Sequence, residues 1–171
     1  MKLGYITPCN HTSVDSLLVA AVQALKAQGL RLAGVVQHNP TPLGAAHCHM
    51  DLEILLQSDI LRISQDLGAL AKSCRLDTGA LEQAVGLVLS DLSGQDSTKI
   101  DLLIINKFGK SESEGRGFRP VIAAALEQAI PVLIAVRIAS LPAFFDFAAD
   151  LGQEVAPELP AILAWAVTAR E

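Results

Sequence analysis

The chain has 171 residues, enough for one domain that withdraws roughly 70% of its unfolded surface from water, so no disulfide or metal is needed to explain a core. Thirteen Lys and Arg against eighteen Asp and Glu leave a net charge of -5, which gives no general attraction to nucleic acid or to anionic membrane, and the five Phe, one Trp and one Tyr are scattered without a stacking pattern. Hydrophobic residues make up 51% of the chain, yet every apolar run falls well short of the ~18 residues that would cross a bilayer.

The first residues, Met1–Pro8, lack the long apolar core and small-residue cleavage site of a secretory signal, so a cytoplasmic location is expected. Cys9, Cys48 and Cys74 are spaced too widely for a zinc ribbon or a redox pair and are expected to be reduced thiols.

In chain order, Leu3–Ile6 is the first of four short apolar runs, followed by Leu32–Val36, Asp101–Ile105 and Val132–Val136. Each is unalternating and bounded by turn residues, as expected for parallel strands buried on both faces. Val14, Leu17, Leu18, Ala21, Val22 and Leu25 recur at the spacing of one buried helix face, and Gly29 supplies a stop. After a loop from Asn39 to Gly44, Met50, Leu52, Ile54 and Leu56 recur at every second position, with Asp51 and Glu53 between the first three; a turn at Gln57–Asp59 then leads into Ile60–Ser64, which predicts an antiparallel hairpin. Further helices are expected over Thr78–Leu89, Gly117–Gln128, Leu141–Ala149 and Pro160–Ala169. No repeat or flexible linker interrupts the series, and residues 1–171 read as a single α/β domain with a doubly wound parallel sheet flanked by helices and an inserted β-hairpin.

In such a sheet the loops after the strands and the free N–H groups of the helix starts share one edge, where a ligand is expected. The loop after the first strand runs Thr7-Pro8-Cys9-Asn10-His11-Thr12-Ser13-Val14-Asp15 into the first helix. A phosphate-binding P-loop has the pattern G-x-x-x-x-G-K-[ST]. Aligned on Leu17-Leu18, Pro8 and Ser13 stand at the glycines, Val14 at the lysine and Asp15 at the hydroxyl residue. The loop reads either as a plain helix start capped by Thr12 or Ser13, or as an anion site made of the remaining N–H groups. The third strand is followed by Asn106, where a nucleotide hydrolase would carry the acidic residue that holds Mg²⁺.

The segment Ser111–Arg119 is charged and punctuated by Gly115 and Gly117; it is expected to be a solvated loop, with Glu112 or Glu114 as carboxylates that could supply a displaced acid. Lys107, Lys110, Arg116, Arg119 and Arg137 follow the third and fourth strands and predict a locally basic edge, unless they pair with Glu112, Glu114, Asp146 or Asp150. His47 and His49 would face one side of an extended segment and Cys48 the other, which is half a zinc site; with His38 distant, a polar loop is the reading and no metal is assigned. Cys9 beside His11 lacks a third group to orient the pair as a nucleophile, so no catalytic residue is assigned.

Three blocks carry a family likeness: Ile63-Ser64-Gln65-Asp66-Leu67-Gly68, Cys74-Arg75-Leu76-Asp77, and Asn106-Lys107-Phe108-Gly109-Lys110 with Glu112, Glu114, Gly115, Gly117, Phe118 and Arg119. With these the chain resembles the bacterial domain-of-unknown-function family 2478 over nearly its whole length. The resemblance implies a diverged relative of the P-loop nucleoside triphosphatases with a nucleotide-kinase-like sheet, often encoded beside molybdate-uptake proteins. Where family members carry glycines in the first loop, this chain has Asn10-His11-Thr12.

The expected function is therefore non-catalytic binding of a nucleotide or oxyanion on a degenerate P-loop scaffold, accessory to molybdate uptake or molybdenum metabolism. The residues expected around the ligand are Asn10, His11, Thr12, Ser13, Asp15, Asn106, Lys107, Lys110, Arg116, Arg119 and Arg137. One alternative is a nucleoside triphosphatase or phosphotransferase in which Lys107 or Lys110 replaces the lysine and Asp15, Glu112 or Glu114 the acid. Another is a partner-binding module with a vestigial pocket, whose hairpin packs on a second copy of the chain or on a transporter component. No cofactor follows from the residues, and neither nucleic acid nor membrane insertion is expected.

Overall fold

In a computed structural model describing residues 2–8, 13–41, 43, 48–65, 76–94 and 100–170, the apolar runs form strands and the amphipathic segments cover them. The strands are β1 (Leu3–Ile6), β2 (Leu32–His38), β3 (Asp51–Ile54), β4 (Asp59–Arg62), β5 (Leu102–Phe108), β6 (Val132–Val136) and β7 (Gly152–Glu154). The helices are α1 (Val14–Ala27), α2 (Thr78–Ser93), α3 (Lys110–Ser113), α4 (Arg119–Glu127), α5 (Leu141–Ala148) and α6 (Leu159–Ala169). Among the described residues no helix is long and apolar enough to cross a membrane.

One sheet takes the order β4-β3-β2-β5-β6-β1-β7. The five strands from β2 to β7 are parallel, and the β3–β4 hairpin is added antiparallel to β2. The crossover from β1 through α1 runs toward the hairpin, whereas those from β5 to β6 and from β6 to β7 run the other way. Because strand-helix-strand crossovers are right-handed, opposite directions place their helices on opposite faces. The two buried layers follow this rule: α1 and α6 pack on one side with Ile6, Leu102, Ile104 and Ala135, and α2, α4 and α5 on the other with Ile105, Phe108 and Ile134. The reversal falls beside β1, so the ends of β1 and β6 face the crevice where such sheets hold ligands.

Several boundaries differ from the sequence expectation. β2 runs two residues further, to His38, because Gln37 and His38 pair with Leu52 and Asp51 of the hairpin. β5 runs to Phe108 because Asn106 and Phe108 pair with Ala135 and Val136 of β6, so Asn106 and Lys107 belong to a strand rather than to the loop after it. α4 starts at Arg119 instead of Gly117, which has φ +61 and is excluded from the helix. The hairpin forms as expected, and α2 covers its apolar face: Leu52, Ile54 and Ile63 join the layer of Leu81 and Val85.

Gly34 shows how tightly β2 and β5 approach. Its φ is +100, and a Cβ added there would collide with the carbonyl oxygen of its partner Ile104. Left-handed strain and a backbone clash act together, so Gly34→Ala is expected to cost about 3 kcal/mol or more. A urea midpoint within experimental error of the native chain's would contradict this close approach.

Candidate functional site

The start of α1 lies after β1, at the end of the sheet where such folds hold ligands. Ser13 caps it by accepting a hydrogen bond from the N–H of Ser16 at 3.3 Å, and Asp15 stands in the first turn, where a carboxylate is favoured by the helix dipole. Val14, at the position of a P-loop lysine, is buried in the α1 layer and presents no charge. Cys9, Asn10, His11 and Thr12 lie outside the described residues.

Asp15 is the meeting point of three elements. Its Oδ1 lies 3.8 Å from Nζ of Lys107 at the end of β5, and its Oδ2 accepts a hydrogen bond of 2.6 Å from Nδ2 of Asn39, just beyond β2. Oδ1 of Asn39 in turn accepts a 2.7 Å bond from Nε2 of the buried Gln37. Sequence reasoning missed Gln37 and Asn39, although two amides spaced two apart at the end of an apolar strand are a usable signal for polar groups sharing one side.

Asn106, the residue before Lys107 in β5, is only 2% exposed, with neither Oδ1 nor Nδ2 bonded to any partner. Leaving one buried polar group unpaired costs about 1–3 kcal/mol, so both atoms together are an expensive feature in a strand otherwise lined with Leu and Ile.

The segment after β5 is not the solvated loop expected from its charge. Its first four residues after Gly109 form α3, and Glu112 is buried at 3% exposure. Its Oε2 accepts from the N–H of Gly109 at 2.9 Å and its Oε1 from the N–H of Phe118 at 3.0 Å, so one carboxylate ties the loop's two ends together. Gly117 is required beside it, because a Cβ there would overlap Oε1 of Glu112. Burial pushes the Glu112 carboxyl above its ordinary range; the two backbone N–H bonds oppose that shift in part, and the nearby charge of Glu82 adds to it.

The expected basic edge is divided. Lys107 reaches the α1 side, but Arg116 pairs with Glu114, as does Lys110 at 3.9 Å. Arg119 packs its guanidinium 4.6 Å over the ring of Phe147, with Nη1 3.5 Å from the carbonyl oxygen of Glu112. Arg137 is exposed at the end of β6, with its N–H donating to the carbonyl of Phe108 at 3.2 Å. Asp15 and Lys107 are thus brought together, with Ser13 capping the same helix and Asn106 preceding Lys107 in β5, while Lys110, Arg116 and Arg119 gather around α3 and α4. A cleft of about 470 Å³ near that second group is lined by Thr78, Glu82, Ser111, Arg116 and Gly117. A larger hollow of about 540 Å³, beside Asp101 and Arg170, opens at the opposite edge of the sheet.

His47 lies outside the described residues, and His38 is bound to Glu53 at 2.9 Å. Among the described residues no three His, Cys, Asp or Glu converge on one point.

Comparison with known proteins fits this architecture. The model of the family "Protein of unknown function (DUF2478)" matches residues 3–165. The molybdenum import ATP-binding protein ModC 2 of Bradyrhizobium diazoefficiens is 36% identical over 152 residues, a match covering 89% of this chain and 16% of that protein. The chain therefore corresponds to a small part of that curated relative. The solution structure of a human cancer-related nucleoside triphosphatase superimposes with a TM-score of 0.69 over 100% of both chains at 18% identity, which shows a nucleoside-triphosphatase-like fold.

The Glu112 tie has a pH signature. A carboxyl titrating above its ordinary value of 4.5 in the folded chain binds its proton more tightly there than in the unfolded chain. Its contribution favours folding below that value and is lost as pH rises through the folded-state titration. Glu112→Gln cannot titrate, and its amide turns an NH₂ toward one of the two N–H donors, at a cost of about 1–3 kcal/mol. The stability gap between the native chain and this variant is expected to narrow from pH 4.5 upward in urea titrations; a gap that widens would refute the raised titration.

Proposed function

Because the chain belongs to the DUF2478 family and has a nucleoside-triphosphatase-like fold, we propose that it binds a nucleotide or a small oxyanion at the strand-end crevice without hydrolysing it. The observation that carries this reading is a paired loss of charge. Phosphoryl transfer relies on a cation at the terminal phosphates and an acid that holds the metal, and these positions are taken by the buried Val14 and the uncharged Asn106. The carboxylates that would have to stand in are already engaged: Glu112 by backbone N–H groups, Glu114 by Arg116 and Lys110, and Asp15 by Asn39 and Lys107.

The start of α1 and Lys107 remain as anion-favouring features. The likeness to part of a molybdenum import ATP-binding protein supports a role accessory to molybdate uptake. It also makes molybdate and tungstate natural members of the ligand set, alongside phosphate, sulfate and nucleotides.

A ligand that binds only the folded chain at 100 times its Kd stabilises it by about 2.7 kcal/mol, roughly a 5–10 °C rise in Tm for a domain of this size. At least one of ATP, GTP, ADP, phosphate, sulfate, molybdate and tungstate is expected to give such a rise. Release of phosphate from Mg²⁺·ATP and Mg²⁺·GTP is expected to stay at background. Turnover at ~1 s⁻¹ or faster would sink the non-hydrolytic reading.

A further inference from the structure

The unpaired amide of Asn106 lies in the same layer as the start of α1. Along β5, Leu102 and Ile104 pack in the α1 layer and Leu103 and Ile105 in the opposite one, so Asn106 continues the α1-side row. Its partner in the ladder, Ala135, is also in the α1 layer. The same side holds Asp15 and Lys107, and their bonding is unequal. Asp15 is fixed through Oδ2 by the 2.6 Å bond from Asn39, itself held by Gln37, whereas its contact with Lys107 is an ion pair at 3.8 Å, beyond hydrogen-bond length. Lys107 is 37% exposed and Asp15 16%.

Resting on the binding function proposed above, we infer that Asp15 and Lys107 form a latch over a metal-free site for a tetrahedral oxyanion, with the amide of Asn106 as its inner wall. An incoming oxyanion takes Lys107 from Asp15 and the Nδ2 donor of Asn106, while Asn39 keeps Asp15 in place. A neutral amide receives a phosphate-like oxygen without a bridging cation, whereas a carboxylate at the same position would need one. The chemistry is shared by a free inorganic oxyanion and by the terminal phosphate of a nucleotide. Asp15 is then a specificity and regulatory residue: its charge competes for Lys107 and sets the anion concentration at which the latch opens.

The experiment measures Tm against inorganic phosphate, molybdate and ATP, each with EDTA present, for the native chain, Asp15→Asn, Asn106→Leu and Lys107→Ala. Asp15→Asn keeps an acceptor for Asn39 but frees Lys107, and is expected to bind roughly tenfold tighter, an ordinary size for coupling between two ligands of one group. Asn106→Leu replaces two unpaired polar atoms by an apolar side chain of similar size, a change that is nearly neutral to folding. It should melt no lower than the native chain and lose the response to anions, and Lys107→Ala should lose it too. A response to phosphate or molybdate identifies a free oxyanion, and a response to ATP alone a nucleotide. If the native chain responds but Asp15→Asn is no tighter, or Asn106→Leu responds equally, the latch is wrong and the binding function stands. If neither the native chain nor Asp15→Asn responds to any of the three, both fall.

Discussion

A right-handed return is the only crossover a twisted parallel sheet readily accepts, and in this chain the returns from β1 and from β6 leave in opposite directions. That constraint puts α1 on one face and α2, α4 and α5 on the other, with α6, after the last strand, packing on the α1 side. It opens the sheet edge beside β1, aims the first turn of α1 at the opening, and carries the ends of β2 and β5 to the same place. Asp15, Asn39 and Lys107 come from three distant parts of the sequence and meet there because of this topology.

A second constraint acts on the other face. The corner from Gly109 to Phe118 has no strand partner of its own, and Glu112 substitutes for one by accepting two backbone N–H bonds from inside the core. A carboxylate in such a place is stable only because its lone pairs are used. The surrounding cations do not need to neutralise it and are left to Glu114 and to the face of Phe147. Exposed pairs of this kind contribute below ~1 kcal/mol each, so the corner owes its shape to the buried hydrogen bonds.

The core was legible in the sequence wherever apolar residues repeated with one period. The four central strands, the hairpin and five helices were placed by that signal, and the face named for the first helix, Val14, Leu17, Leu18, Ala21, Val22 and Leu25, is the buried one. β7 was not legible: Gly152–Glu154 has no apolar pattern and is a strand only because the edge of β1 offers it a ladder. α3 was hidden because its sequence, Lys-Ser-Glu-Ser, reads as solvent-facing, and nothing local reveals that Glu112 turns inward. Of the residues expected around a ligand, Asp15 and Lys107 stood out by their positions after apolar runs and do meet. The split of the remaining cations onto another face could not be read along the chain, since it depends on which helix each loop enters.

The replacements at Val14 and Asn106 make sense as one electrostatic change. A P-loop lysine and a strand-end acid support each other through phosphate and metal; without the lysine, a carboxylate at position 106 would be a charge buried at 2% exposure, with the neighbouring Lys107 already paired to Asp15. An amide of nearly the same shape removes that charge and keeps a donor and an acceptor. Val14 returns the vacated helix position to the core, where it packs with Leu17, Leu18 and Ile6. The Asp15–Lys107 pair at this edge lies nearer the surface, where water lowers the cost of holding it. With Val14 in the core and an amide at position 106, the two positions carry no charge, and the ion pair described at this end of the sheet, Asp15–Lys107, bridges the first turn of α1 and the end of β5.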